Sequence, residues 1–89
     1  MPACTHLDEI GVEQIAEADK RGLVCEDCVR EGTDWLHLRQ CLTCGGIRCC
    51  DDSPRRHARR HAGAVGHPII ASAQPGERWR YCFVDDVEV

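Results

Sequence analysis

Nearly every cysteine and histidine in this chain of 89 residues has a metal-compatible partner a few positions away. The pairs are Cys4/His6, Cys25/Cys28, Cys41/Cys44, Cys49/His57, His61/His67, and Cys82 with a carboxylate partner at Asp85. Closed structural zinc sites are tetrahedral and take thiolate and imidazole ligands, commonly as close pairs supplied from two places in the chain. Six pairs are enough for three sites of four ligands. One Cys-x2-Cys says little. Two of them followed by Cys49-x7-His57-x3-His61-x5-His67 constrain the fold strongly, because chance rarely leaves so few of these residues unpaired.

The rest of the composition explains why metal is needed. Five Leu, five Ile, seven Val, two Trp and single Phe, Tyr and Met residues are spread over one domain, residues 1–89. A core that thin rarely holds a chain of this length, and small domains add disulfides, metal or oligomerisation. Met1-Pro2-Ala3-Cys4 offers neither a charged start nor an apolar run. No signal peptide is therefore expected, and a cytoplasmic, reducing location follows, in which cysteines bind zinc rather than pair as disulfides. Cys-x2-Cys is also an awkward disulfide and a natural chelate. No stretch has the apolar length of a membrane span. A net charge of -4 argues against general nucleic-acid binding. A monomer is expected, with an unknown protein or peptide as partner.

Along the chain, Glu9 to Leu23 reads as a strand and a short helical turn. Trp35-Leu36-His37-Leu38-Arg39 alternates as a strand, with Trp35, His37 and Arg39 on one face. Ser53-Pro54 reads as a helix start, with Asp51 and Asp52 near its positive end; the helix is expected to run to Ala62 and stop at Gly63. Ile69-Ile70-Ala71 reads as a buried strand and Trp79 to Val84 as a final one. His57 and His61 then share a helix face, so that two adjacent zincs can each take one.

Catalytic readings find no support. There is no His-Glu-x-x-His helix and no deaminase signature. A catalytic zinc keeps an open position, and the ligand count leaves none. Cys25-Glu26-Asp27-Cys28 lacks the βαβ surroundings of a redox pair. The chain is not expected to be an enzyme.

Cys25-x2-Cys28, Trp35, Cys41-x2-Cys44-x4-Cys49, His57-Ala58-x2-His61 and Gly66-His67-Pro68 together resemble the UBP-type zinc finger, a module of deubiquitinating enzymes and of one cytoplasmic histone deacetylase. The likeness extends from Cys4 to Asp85 and is greatest to stand-alone bacterial members, which share Cys49-Cys50-Asp51 and Cys82-Phe83-Val84-Asp85. It implies a small α+β domain with an antiparallel sheet, one main helix and up to three cross-braced zincs. Carried over by position, Cys25, Cys28, Cys49 and His57 form one site, and Cys41, Cys44, His61 and His67 a second. Cys4, His6 and Cys82 join a third, where Asp85 replaces the cysteine of the three-zinc eukaryotic members. The resemblance also implies a pocket for a C-terminal Gly-Gly. Trp79, Tyr81 and, approximately, Trp35 match its aromatics, whereas the Arg expected after the third-knuckle cysteine is replaced by Cys50-Asp51-Asp52. Ubiquitin is therefore not the expected ligand, and a non-catalytic peptide-binding module is. The alternatives are a structural or regulatory zinc domain within a complex, and a redox- or metal-sensing protein.

Three features leave choices open. Cys49 keeps the family spacing from Cys44 and is the preferred ligand, but Cys50 stands seven residues before His57, which the family also allows. His37 has no ligand partner and reads as an ordinary strand residue. The run Arg55-Arg56-His57-Ala58-Arg59-Arg60 reads as a solvated helix face, with an anion-attracting patch as the alternative.

Overall fold

The computed structural model describes residues 4–89; the opening Met1-Pro2-Ala3, on which the absence of a signal peptide was argued, lies outside them. Strands β1 (Leu38–Cys41), β2 (Ile47–Cys49), β3 (Ile69–Ser72), β4 (Arg80–Cys82) and β5 (Val87–Glu88) form one sheet in the order β2-β1-β3-β4-β5. Every neighbouring pair is antiparallel. Helix α1 (Glu26–Glu31) packs on β2, and helix α2 (His57–Val65) packs on β1 and β2. The chain is thus an α+β domain with an antiparallel sheet and one main helix.

The core is made of cysteine as much as of aliphatic side chains. Cys25, Cys28 and Cys49 are buried with Leu38 and Ala73, and Trp35 packs against them. Cys82 is buried with Leu42, Ile69 and Ala71, covered by Cys4 and Ile10.

Several elements differ from the sequence expectation for reasons the contacts make plain. The strand predicted from Trp35 begins only at Leu38, because Trp35 turns into the first core group instead of alternating on a sheet face. Ser53 does not cap a helix. It is buried in a turn, its N–H bonded to the Cys50 carbonyl and its Oγ accepting from the Leu36 N–H. Helix α2 starts instead at the ligand-type residue His57, whose N–H donates to Cys49 Sγ at 3.2 Å. To enter the helix there, Arg56 adopts left-handed backbone, φ 49°. Gly63 lies inside the helix, and Gly66, φ 71°, ends it. The predicted final strand shortens to Arg80–Cys82, and β2, β5 and α1 are elements the sequence pattern was too short to announce.

Between Glu9 and Leu23 the only regular structure is a 3-10 turn, Glu17–Asp19. The rest is held by side chains. Buried Gln40 accepts from the Ile15 N–H at 2.9 Å and donates to the Glu13 carbonyl at 3.0 Å. Gly11 lets this segment touch the hairpin between β1 and β2: its N–H donates to the Leu42 carbonyl, and a Cβ would stand 2.7 Å from the Thr43 carbonyl oxygen. Gly11→Ala is expected to lower the stability of the zinc-loaded domain by about 1–3 kcal/mol through that backbone clash, measured by denaturant unfolding.

Candidate metal centres and aromatic cleft

Coordination chemistry needs donors held close before the cation arrives, and local structure supplies them two at a time. Cys25 is the N-cap of α1, and its Sγ accepts from the Cys28 N–H. Cys41 ends β1 and Cys44 sits in the tight turn leading to β2, where Gly45, φ 83°, donates to the Cys41 carbonyl. Cys4 caps the 3-10 turn Thr5–Glu9, and Cys82 Sγ accepts from the Asp85 N–H. N–H groups aimed at sulfur stabilise thiolate and orient it.

The fold brings these pairs into three groups: Cys25, Cys28, Cys49 and His57; Cys41, Cys44, His61 and His67; and Cys4, His6, Cys82 and Asp85. Within each group every ligand-type atom lies within 4.8 Å of the others. A tetrahedral zinc with bonds of about 2.3 Å to sulfur and 2.0–2.1 Å to nitrogen requires edges of about 3.8 Å (S–S), 3.5 Å (S–N) and 3.3 Å (N–N). In the first group His57 Nδ1 is 3.3–3.4 Å from all three sulfurs, and Cys28 Sγ is 3.9 Å from Cys49 Sγ. In the second, Cys41 Sγ is 3.5 Å from His67 Nδ1, Cys44 Sγ is 3.5 Å from His61 Nε2, and His61 Nε2 is 3.1 Å from His67 Nδ1. In the third, His6 Nδ1 stands 3.7 and 3.6 Å from the sulfurs of Cys4 and Cys82 and 2.9 Å from Asp85 Oδ2. The donor types and edges fit zinc in all three, and the protein carries multiple zinc sites.

The first group is fully buried, the second includes the exposed Cys44, and the third is the most open, with side-chain exposures of 30% for His6 and 36% for Asp85. The chain order of the first two groups interleaves, and α2 sends His57 to one and His61 to the other. Cys50 belongs to neither; its sulfur lies 3.4 Å from Ser53 Oγ.

Two residues around the groups were not foreseen. Glu31, at the end of α1, places Oε1 3.1 Å from His57 Nε2, so that this nitrogen donates outward and Nδ1 is left free to bind. Arg48 pairs with Glu26 at 2.8 Å and Asp27 at 2.9 Å, fixing α1 to β2. Glu31 is 26 residues from His57, and nothing local in the sequence marks such a partner.

Without a cation four of the ligand-type thiols hold their protons more tightly than an ordinary cysteine, whereas at Cys44 burial is outweighed by hydrogen bonding and the nearby Arg48 charge, which lower it. Burial pushes Cys28 up to about 12, and a hydrogen bond with the Asp85 carboxylate, ahead of burial, pushes Cys4 up to about 11. Burial also raises Cys41 and Cys49. Zinc therefore displaces protons at neutral pH, and acidification favours the protonated, metal-free groups. Burial, then the nearby Arg48 charge, lowers His61, which keeps that imidazole neutral further into the acid range.

A second feature lies on the sheet away from the metal groups. Helix α2 covers β1 and β2, and a cavity of about 310 Å³ remains beside it. Half-buried Trp79, Tyr81 and Phe83 form its wall, and Arg59, Cys50 and Asp51 complete that side. Asp51 occupies Arg59 with contacts of 2.8 Å to Nε and 2.7 Å to Nη2. Trp35 does not line this cavity: its ring belongs to the core around Cys25 and Cys28. His37 is exposed and outside every metal group. In the basic run, Arg55 faces Glu31 at 3.6 Å and Arg59 is held by Asp51, so half of its charge is already paired. Among the described residues, no helix is long and apolar enough to cross a membrane.

Comparison with known proteins came to the same chemistry. The profile of the zinc finger found in ubiquitin-hydrolases and other proteins matches residues 25–89. The solution NMR structure of protein RPA1320 from Rhodopseudomonas palustris superposes with a TM-score of 0.74 at 43% sequence identity, covering 99% of this chain and 81% of that one. No functionally curated protein sequence matches significantly.

Elemental analysis is expected to find three zincs per chain, falling to two in Asp85→Ala. Glu31→Gln is expected to weaken the first site by about 10- to 100-fold, read by competition with a chromophoric chelator. A count of two in the unaltered protein, unchanged by Asp85→Ala, would remove the third site.

Proposed function

This chain belongs to the UBP-type zinc-finger family, and we propose that it is a non-catalytic module that binds an extended segment of a partner protein in the cleft beside α2. The observation that carries this reading is the cavity walled by Trp79, Tyr81 and Phe83. An 89-residue domain with so few aromatics gains more by burying them, and half-buried aromatic rings in a cleft are what anchors of a partner use. The cleft also continues: Arg59 and Phe83 line a second hollow of about 200 Å³ together with Pro68 and Val84. Two adjoining hollows suit an extended ligand.

The ligand set proposed for zinc comprises Cys25, Cys28, Cys49 and His57, then Cys41, Cys44, His61 and His67, then Cys4, His6, Cys82 and Asp85. Four donors per group fill a tetrahedron and favour structural rather than catalytic metal. Free thiols throughout suit a reducing, cytoplasmic setting, in which we place a monomer that acts on no nucleic acid or membrane. The exposed Cys44 favours a second reading, in which mild oxidation releases zinc from the second site. Zinc retained under mild peroxide speaks against that reading.

The two tryptophans separate fold from function. Trp79→Ala and Tyr81→Ala are expected to keep full zinc content and to weaken binding of extended peptides at least tenfold, in line with about 1.4 kcal/mol or more per anchor. Trp35→Ala is expected to do the reverse, costing about 3–5 kcal/mol of stability at most with peptide affinity unchanged in the protein that remains folded. Titrations followed by amide shifts read the first effect, and denaturant unfolding the second. Binding that survives Trp79→Ala and Tyr81→Ala contradicts the cleft assignment.

A further inference from the structure

Trp79, Tyr81 and Phe83 alternate along one side of the β4 region, and the two outer rings already carry cations. The Arg39 guanidinium lies 4.5 Å from the centre of the Trp79 ring, and that of Arg59 lies 4.5 Å from the centre of the Phe83 ring. Aromatic faces attract guanidinium and ammonium groups through the ring quadrupole. Tyr81, between them, meets Phe83 edge to face at 5.7 Å, and among the described residues no cation of the chain stacks on it.

The carboxylates around this middle ring are the uncommitted ones. Glu88 is the cross-strand partner of Tyr81, and both line the cavity. Asp52 reaches the same cavity from the loop after β2. Among the described residues neither carboxylate has an ion-pair partner, whereas Asp51 is committed to Arg59. A carboxylate entering here would meet an Arg59 already neutralised by Asp51. Arg39 has no ion-pair partner among the described residues and keeps its charge, but it lies on the Trp79 ring and donates through Nη1 to the Leu38 carbonyl at 2.9 Å. A cation would meet the half-buried Tyr81 ring and two unpaired carboxylates, Asp52 and Glu88, against the single unpaired guanidinium of Arg39. Desolvation inside the cleft strengthens both attractions relative to the open surface.

We propose that the cavity takes a basic side chain, Arg or Lys, of an extended partner segment, with its cation at Tyr81 between Asp52 and Glu88. This rests on the reading of the cleft as a peptide site and gives that site its charge preference. The uncharged part of the segment continues past Phe83 toward Val84, in the second hollow.

The zinc-loaded protein is titrated with three peptides of glycine and serine, followed by amide shifts and Trp fluorescence. One is blocked at both ends and carries a single arginine, the second is identical but carries citrulline, and the third has no charged side chain and a free C-terminal carboxylate. The arginine peptide is expected to bind about tenfold tighter than the citrulline peptide, with shifts at Tyr81 and Glu88, and to lose affinity as salt rises. In the double variant Asp52→Asn, Glu88→Gln the arginine and citrulline peptides are expected to bind equally, with zinc content unchanged. Equal binding of the two to the unaltered protein, or preference for the free carboxylate, overturns the charge assignment while leaving the peptide cleft standing. No response to any of the three overturns both.

Discussion

Four donors converging on one cation is the interaction on which the remainder of this fold depends. The apolar core is split in two, and each half contains the sulfurs of a metal group. Removing the cation would leave buried thiols crowded together, with little hydrocarbon to compensate for the lost bonds. The interleaved ligand order also makes the sites interdependent: α2 is held at His57 by one and at His61 by the other, and the hairpin of β1 and β2 contributes to both. The third group joins Cys4 to Cys82, closing nearly the whole chain into a loop whose entropy would otherwise oppose that contact.

The cleft follows from the same constraint. Because His57 and His61 pin α2 over β1 and β2, the helix cannot also cover β4, and the face carrying Tyr81 is left open. The turn that returns the chain from β2 to α2 brings Cys50, Asp51 and Asp52 to the rim of that opening. Asp51 then pairs with Arg59, which leaves Asp52 and Glu88 as the unpaired carboxylates beside Tyr81.

The pairs Cys25/Cys28, Cys41/Cys44 and His61/His67 could be read from spacing because coordination imposes a local pattern, and the family resemblance sorted them into the groups that converge in space. What escaped the sequence was set by distant contacts. Ser53-Pro54 is a good helix start in isolation, yet the helix begins at His57, because the Cys49 sulfur receives its first N–H and the imidazole must reach three thiols. Trp35 and Trp79 look alike in sequence; one packs beside Cys25 and the other walls a cleft, and only their tertiary contacts separate them. Glu31 and Gln40 act on partners 25 or more residues away and carry no local signal.

Metal binding supplies the free energy of folding here, as it does in chains whose core is this small. The most direct measurement is an amide NMR spectrum recorded before and after complete removal of zinc by a chelator at neutral pH. Collapse of the spectrum to the narrow dispersion of an unfolded chain, reversed by adding back three equivalents of zinc for the three groups, is the predicted result. A dispersed, native-like spectrum that survives complete zinc removal would contradict it.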